Sequence, residues 1–360
     1  MSATLAPSSL AELLDAVRST PRLLAVGAGT KPRLSAVDTA KLSMTQLRGI
    51  IEYEPSEFTF TAFAGTPLRE IVEVLGARGQ HMPFEPLLAD AGATLGGTAA
   101  AGLSGPGRYR FGGLRDFILG VRFVDGAGRL LRMGGKVVKN AAGFDLPKFF
   151  AGSLGRFGVL AEITFKVFPR PAGTLTLRIP VGTMKEAVRI LVEVTPGRWE
   201  PEALDLLPDG GGICLRLAGP EAALREMAPE IFSRWPGEVL SAADAEGLWL
   251  ALREFHWAHD DGPWIKIVLN PERLPAIDQL VCAFDGALMH VSAGGNLAFV
   301  SLPKGTAVDK LATELRGLGL PALTLRGAGP LWCGAQSRPK IAQSVKDALD
   351  PEHRFPSLDD

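Results

Sequence analysis

Residues 94–105 read Thr94-Leu95-Gly96-Gly97-Thr98-Ala99-Ala100-Ala101-Gly102-Leu103-Ser104-Gly105, a run with almost nothing larger than threonine. Side chains this small let main chain approach a ligand or another chain, and the N–H groups of Gly96 and Gly97 have no Cβ shielding them. The competing reading is close packing of a helix against a sheet. Upstream, Val26-Gly27-Ala28-Gly29-Thr30-Lys31 follows an apolar strand. A dinucleotide fingerprint would need a third glycine opening a helix, whereas Pro32 follows here without a helical pattern, and the Walker A sequence is absent. What remains is a tight turn whose successive N–H groups form an anion-holding concavity, with Thr30 supplying a hydroxyl and Lys31 a charge. Two such segments in one domain favour a diphosphate ligand. A third cluster, Gly134–Gly158, mixes six glycines with Lys136 and Lys139, which suit either an anion or a solvated loop.

Around these loops the chain reads as alternating elements. Ser8 or Ser9 caps a helix carrying Leu10, Leu13, Leu14 and Val17 on one face, and Thr66-Pro67 starts a second with Leu68, Ile71, Val72 and Leu75 inward. Asp125–Gly128 joins two strands as a hairpin turn. The strand Gly158–Val167 stops at Pro169-Arg170-Pro171, which marks a domain boundary. Beyond it, strands at Thr174–Pro180, Ile213–Leu217, Trp264–Val268 and Leu297–Leu302 alternate with helices at Met184–Val194 and Pro220–Phe232. The fold class is α+β, with domains at 1–171 and 172–325 and a C-terminal segment 326–360.

The bulk properties exclude some partners. In 360 residues, Lys plus Arg total 38 against 39 for Asp plus Glu, so no global field draws nucleic acid. Cys214, Cys282 and Cys333 are too far apart in sequence for a metal-ligand spacing and read as core thiols of a reducing compartment. Neither a secretory leader nor a transmembrane stretch is evident, and the expectation is a cytoplasmic protein that meets a membrane only through partners.

Taken in order, the stretches VGAGTK (26–31), PFEPLLADAGATLGGTAAAGLSG (83–105), GGLRDFILGVRFVDGAGRLLR (112–132), GGKVVKNAAGFDLPKFFAGS (134–153) and GRFGVLAEITFKVFPRP (155–171) resemble the FAD-binding domain of the vanillyl-alcohol oxidase (PCMH) type. Within that family the resemblance is to the FAD-binding subunits of glycolate oxidases. It implies a two-part FAD-binding fold followed by an α+β cap domain and by a C-terminal segment, 326–360, that returns toward the FAD domain. It further implies that Gly27, Ala28, Gly29, Thr30 and Lys31 cradle one side of the FAD pyrophosphate and Thr94, Gly96, Gly97, Ala100 and Gly105 the other. Pro86 would then sit near the flavin, and Gly152, Gly158, Val159 and Ile163 along the adenosine. Relatives that bind FAD covalently use a His or Cys in these loops; neither occurs in Val26–Lys31 or Phe84–Gly105, so dissociable FAD is expected.

The second domain is poorer in chemistry. Relatives that oxidise 2-hydroxy acids carry a histidine motif ending in GDGNLH, and His290–Ala298 keeps a Gly-Gly-Asn-Leu core but has Ala298 at the closing position. His256 and His259, with Asp260 and Asp261, form another polar cluster without an evident third metal ligand, and no metal is expected. The resemblance therefore implies a subunit that works beside a catalytic flavoprotein subunit and an iron–sulfur subunit in oxidising glycolate to glyoxylate. A stand-alone FAD-dependent D-2-hydroxy-acid dehydrogenase and a scaffold without catalysis are the alternatives. No catalytic residue is assigned.

Overall fold

The computed structural model describes residues 4–135, 146–336 and 340–360. The chain forms an α+β fold of two compact units. The first comprises the described residues up to Ser104, Gly113–Arg170 and the C-terminal residues from 340 onward. The second comprises Gly105–Gly112 and the described residues from Pro171 to 336. Two boundaries thus differ from the sequence expectation. Residues 105–112 belong to the second unit, and so do residues 326–336, where Trp332 bridges Leu323 and Cys333 N–H bonds Ala322.

In the first unit, helix Leu10–Ser19 begins where the Ser9 hydroxyl accepts from the Glu12 N–H at 3.2 Å, and it buries Leu13 and Val17. The next strand, Leu23–Val26, lies parallel to Ala40–Ser43 in a three-stranded sheet. A separate antiparallel sheet runs in the order Ile50–Glu54, Thr59–Phe63, Val159–Lys166, Ile118–Val124, Leu130–Gly134. The last two form the expected hairpin: Val124 pairs with Leu130, and buried Asp125 accepts from the N–H and Nε of Arg129 at 2.8 Å each. Leu13, Val17, Leu23, Leu42, Val124, Val159 and Phe355 share one core. Each large aliphatic side chain buried there contributes about 1.5–3 kcal/mol relative to exposure.

The C-terminal residues are structural in this unit. Asp350 is fully buried, pairs with the Lys346 ammonium, and accepts the N–H groups of Arg354 and Phe355 at 2.9 and 3.0 Å. Arg354 O in turn accepts the Leu23 N–H at 2.8 Å, which fixes the strand leading into the first glycine loop.

The second unit is built on an eight-stranded antiparallel sheet in the order Glu238–Val239, Thr174–Pro180, Gly212–Ala218, Ala203–Leu206, Leu288–Ser292, Leu297–Ser301, Trp264–Val268, Ala322–Arg326. Helices Met184–Val194, Glu221–Arg234, Leu274–Cys282 and Asp309–Gly317 contribute to its main core together with Ile265, Ile267, Val291 and Val300. Helix Ala242–Glu254, which the sequence reading passed over, joins a second cluster through Trp249 and Leu252 against Ala203, Leu207 and Cys214. Cys214 and Cys333 are buried as expected, whereas Cys282 is exposed, because it ends its helix.

Candidate cofactor site

Strand Leu23–Val26 delivers the chain into the loop Gly27–Lys31. Gly29 has φ +74° with open space where a Cβ would stand, so the left-handed turn leaves its backbone uncovered. Pro32 then starts a 3-10 turn, Pro32–Ser35, in place of the helix that a dinucleotide fold would need. The N–H groups of Ala28, Gly29 and Thr30 make no hydrogen bond with other described residues. Lys31 is buried and donates to the Thr30 hydroxyl at 2.8 Å.

The second segment behaves differently. Thr94 caps helix Leu95–Ala101, which ends at Gly102 in the left-handed region. The N–H groups of Leu95, Gly96 and Gly97 are all occupied inside the protein, by Thr66 O at 2.9 Å, Ala64 O at 2.7 Å and the Thr94 hydroxyl at 3.2 Å. A Cβ on Gly96 would lie 2.6 Å from that of Ala64, and one on Gly27 would lie 2.3 Å from Thr94 Oγ1. The small residues here bring a helix and the first loop into contact, so the free donors for an anion come from the first loop and not from Gly96 and Gly97.

Between the loops lies a cleft of about 500 Å³, mouth included, lined by Gly27, Ala28, Gly29, Thr30 and Lys31 on one side and Thr94, Gly97 and Ala100 on the other. An adjoining cleft of about 380 Å³ is lined by Gly96, Gly97, Ala100, Ser153, Gly155 and Gly158. The remaining candidates lie outside both linings. Val159 and Ile163 are fully buried in strand Val159–Lys166, since alternation along a central strand turns them into the core. Gly152 packs at the end of helix Leu95–Ala101, its N–H bonded to Ala99 O at 3.0 Å. Pro86 is buried away from the clefts, and Gly105 belongs to the second unit. Lys136 and Lys139 lie outside the described residues.

Several lining residues escaped the sequence reading: Leu34, Ser35, Met44, Ala64, Ser153, Leu154, Gly155 and Leu160. Ser153 is the most telling, because its buried hydroxyl has no partner among the described residues and lines the second cleft. Leu154 takes φ +51°, a strained value for a branched side chain. Behind this wall sits Arg156, the bulkiest fully buried side chain. Its guanidinium donates to the carbonyls of Leu34 and Leu154, both cleft residues, and to the Asp360 main-chain oxygen at 2.7 Å. Burial brings Arg156 down to about 10. Burial and the nearby Arg156 charge lower Lys41, which holds the carbonyls of Ser35 and Val37 at 2.7 and 2.5 Å.

The donor set fits a dinucleotide diphosphate: unpaired N–H groups in a turn, hydroxyls at Thr30 and Ser153, and positive charge at Lys31 and Arg156. FAD meets that description. No His or Cys lines either cleft among the described residues.

In the second unit, His290 is buried with Nε2 2.9 Å from Asp205 Oδ2, and Asp205 Oδ1 accepts from the Ser292 hydroxyl and the Ala293 N–H. Ala298, at the place of the closing histidine, is fully buried in the core. His259 clamps a turn, its N–H on the Ser301 hydroxyl and its Nε2 2.8 Å from Gly286 O. Among the described residues no group of three His, Cys, Asp or Glu could hold a metal.

Comparison with known proteins agrees with this geometry. Residues 1–134 match the model of the FAD binding domain family. The chain is 36% identical over 254 residues to "Glycolate oxidase subunit GlcE" of Escherichia coli (strain K12), covering 68% of this chain and 67% of that protein. It is 31% identical over 144 residues to a D-lactate dehydrogenase of Archaeoglobus fulgidus, and 26% identical over 166 residues to "Glycolate oxidase subunit GlcD" of Bacillus subtilis (strain 168). These matches take in 40% and 46% of this chain and only 32% and 35% of the two relatives. In fold, solved alkyldihydroxyacetonephosphate synthase superposes with a TM-score of 0.71 at 16% identity, covering 97% of this chain and 76% of that one. The chain therefore belongs to the PCMH-type FAD-binding flavoprotein family that includes glycolate oxidase subunit GlcE, and its first unit holds an FAD-binding domain.

Proposed function

We propose that this chain is the FAD-binding subunit of a multi-subunit glycolate oxidase that converts glycolate to glyoxylate and passes the two electrons to an iron–sulfur subunit. The observation that carries the reading is the two-walled cleft with unoccupied N–H donors, in a chain 36% identical to a glycolate oxidase subunit. Bound FAD supplies the electron-accepting chemistry. The chain's residues hold and orient it: the N–H groups of Ala28, Gly29 and Thr30 meet the diphosphate, Lys31 offsets its charge, and the Ser153 hydroxyl adds a polar contact in the adjoining cleft. Arg156 and Lys41 keep the wall 34–37 in place by holding its carbonyls.

The partners in this reading are a catalytic flavoprotein subunit and the iron–sulfur subunit, with a cytoplasmic location at the membrane through those partners. No helix among the described residues is long and apolar enough to cross a membrane. Co-purification of the tagged chain from its native host, followed by glycolate-dependent dye reduction, tests the assignment. The complex should turn over glycolate and the isolated FAD-loaded chain should not. Turnover by the isolated chain would favour the stand-alone D-2-hydroxy-acid dehydrogenase instead, a reading that the buried Asp205–His290 pair and the D-lactate dehydrogenase relatives support.

A further inference from the structure

Arg156 is a costly residue in its place. Its guanidinium is removed from water in a residue that is 2% exposed, and burial outweighs the attraction of the Asp360 charge, bringing it down to about 10. Every hydrogen bond that this guanidinium makes among the described residues ends on a main-chain oxygen, that of Leu34, Leu154 or Asp360. An apolar side chain would fill the same volume without that cost, so packing alone does not account for the charge. What a planar fork of donors does, and an apolar chain does not, is hold the carbonyls of residues 34, 154 and 360 at one point.

Two of those carbonyls belong to the cofactor cleft. Leu34 and Leu154 line it, whereas Arg156 lines neither cleft, so their oxygens are engaged behind the wall. Lys41 does the same next to them, taking Ser35 O and Val37 O. Carbonyl oxygens are the negative ends of the peptide dipoles, and a wall that withdraws them repels a diphosphate less.

The third carbonyl ties this wall to the C-terminal residues. The Asp360 carboxylate accepts the Ser357 N–H at 2.8 Å and meets Arg22 at 3.8 Å, which closes a short turn, 357–360, whose Asp360 O takes the Arg156 donor at 2.7 Å. Arg156 is gripped through its main chain as well: the buried Lys346 ammonium donates to Arg156 O at 2.7 Å and to Phe355 O at 3.1 Å. One residue is thus bonded to the cleft wall on one side and twice to the segment 346–360 on the other.

We propose that Arg156 is a positioning residue that couples the cofactor cleft to the C-terminal residues, so that FAD in the cleft and the packing of 350–360 strengthen each other. Such coupling is reciprocal: the factor by which a packed 350–360 raises FAD affinity is the factor by which FAD stabilises that packing. The proposal needs FAD in the first unit and nothing of the glycolate assignment.

Hydrogen–deuterium exchange of the full chain, apo and FAD-loaded, together with titration of FAD by its fluorescence, tests it. In the wild type, FAD should slow exchange at the bonded N–H groups of Arg354, Phe355 and Ser357 by about fivefold or more. Arg156→Met should weaken FAD by about tenfold and abolish that slowing. Asp360→Ala opens the turn without altering a residue of the cleft lining, and is the decisive variant if Arg156→Met does not fold; it should weaken FAD by about threefold. Exchange at these N–H groups that is indifferent to FAD in the wild type overturns the proposal. So does an unchanged FAD affinity in Asp360→Ala or in a folded Arg156→Met chain. Neither readout uses glycolate, so a complex that fails to oxidise glycolate sinks the proposed function and leaves this coupling standing.

Discussion

Two glycine-rich segments face each other across the cofactor cleft, and they use glycine for opposite purposes. In 26–31 the absence of a side chain uncovers the backbone: Gly29 faces open space, and its N–H and those of its neighbours Ala28 and Thr30 have no partner among the described residues. In 94–105 the absence of side chains brings protein against protein, and every N–H at the start of the helix is already bonded. Glycine density alone does not distinguish a ligand-facing loop from a packing motif. The destination of the backbone donors does.

The largest expected effect tests what holds the first loop in place. Lys346→Met leaves Asp350 buried without its cation, and breaking such a pair costs about 3–5 kcal/mol. Denaturant midpoints of the first unit should fall accordingly, and bound flavin should be lost with it, because Asp350 positions Arg354 and Arg354 O holds the Leu23 strand. Unchanged stability would mean that the C-terminal residues do not support the loop.

Next comes a matched pair that addresses the contrast itself. Gly96→Val drives a side chain into Ala64, and overpacking of this kind costs about 1–3 kcal/mol of folding stability. Gly29→Ala meets no atom, so its roughly 1–2 kcal/mol penalty for a left-handed alanine should fall on the loop and read out as weaker FAD binding with little change in unfolding midpoint. If both variants lose only flavin, the two segments have the same role.

A smaller effect is expected from Ser153→Ala. Removing a hydroxyl that only a ligand satisfies should weaken FAD by about fivefold, equivalent to about 1 kcal/mol, and leave the apo-protein equally stable or more so. Loss of apo stability would place the partner of Ser153 inside the protein.

A pH-dependent effect is expected in the second unit, where burial lowers the Lys266 ammonium. Lys266 titrates at about 8 when folded and near 10.4 when unfolded, so between those values the unfolded chain binds more protons. Its unfavourable contribution is complete below pH 8 and fades as the pH rises toward 10. Comparison of chemical unfolding at pH 7, 9 and 10 should therefore show Lys266→Met gaining stability relative to wild type at pH 7 and losing that advantage by pH 10. A constant difference across that range would show that Lys266 keeps its proton.

Much of the fold was legible because it depends on local pattern. The Leu10/Leu13/Leu14/Val17 stripe, the Asp125–Gly128 turn and the Pro169–Pro171 stop each act through neighbours in sequence, and each matches an element or a unit end in the structure. The cleft lining was legible where motif and loop coincide, at Gly27–Lys31 and at Thr94, Gly97 and Ala100. It was illegible at Ser153 and Leu154, whose presence in the wall follows from a strained turn held by Arg156, which is in turn tied to Leu34 and Asp360 far away in the chain. Val159 stands between two lining residues, Gly158 and Leu160, yet it is fully buried, as is Ile163, and neither lines a cleft.

By itself, the sequence determined the class of fold, the existence of two glycine-rich walls and the identity of the groups able to meet a diphosphate, because these follow from residue type and spacing. Tertiary structure alone decided which N–H groups stay free. It also decided that residues 105–112 pack with the second unit and that the C-terminal residues brace the first. Those outcomes depend on hydrogen bonds and charge pairs between positions far apart in the chain, as between Leu23 and Arg354 or Arg156 and Asp360, and no local pattern encodes them.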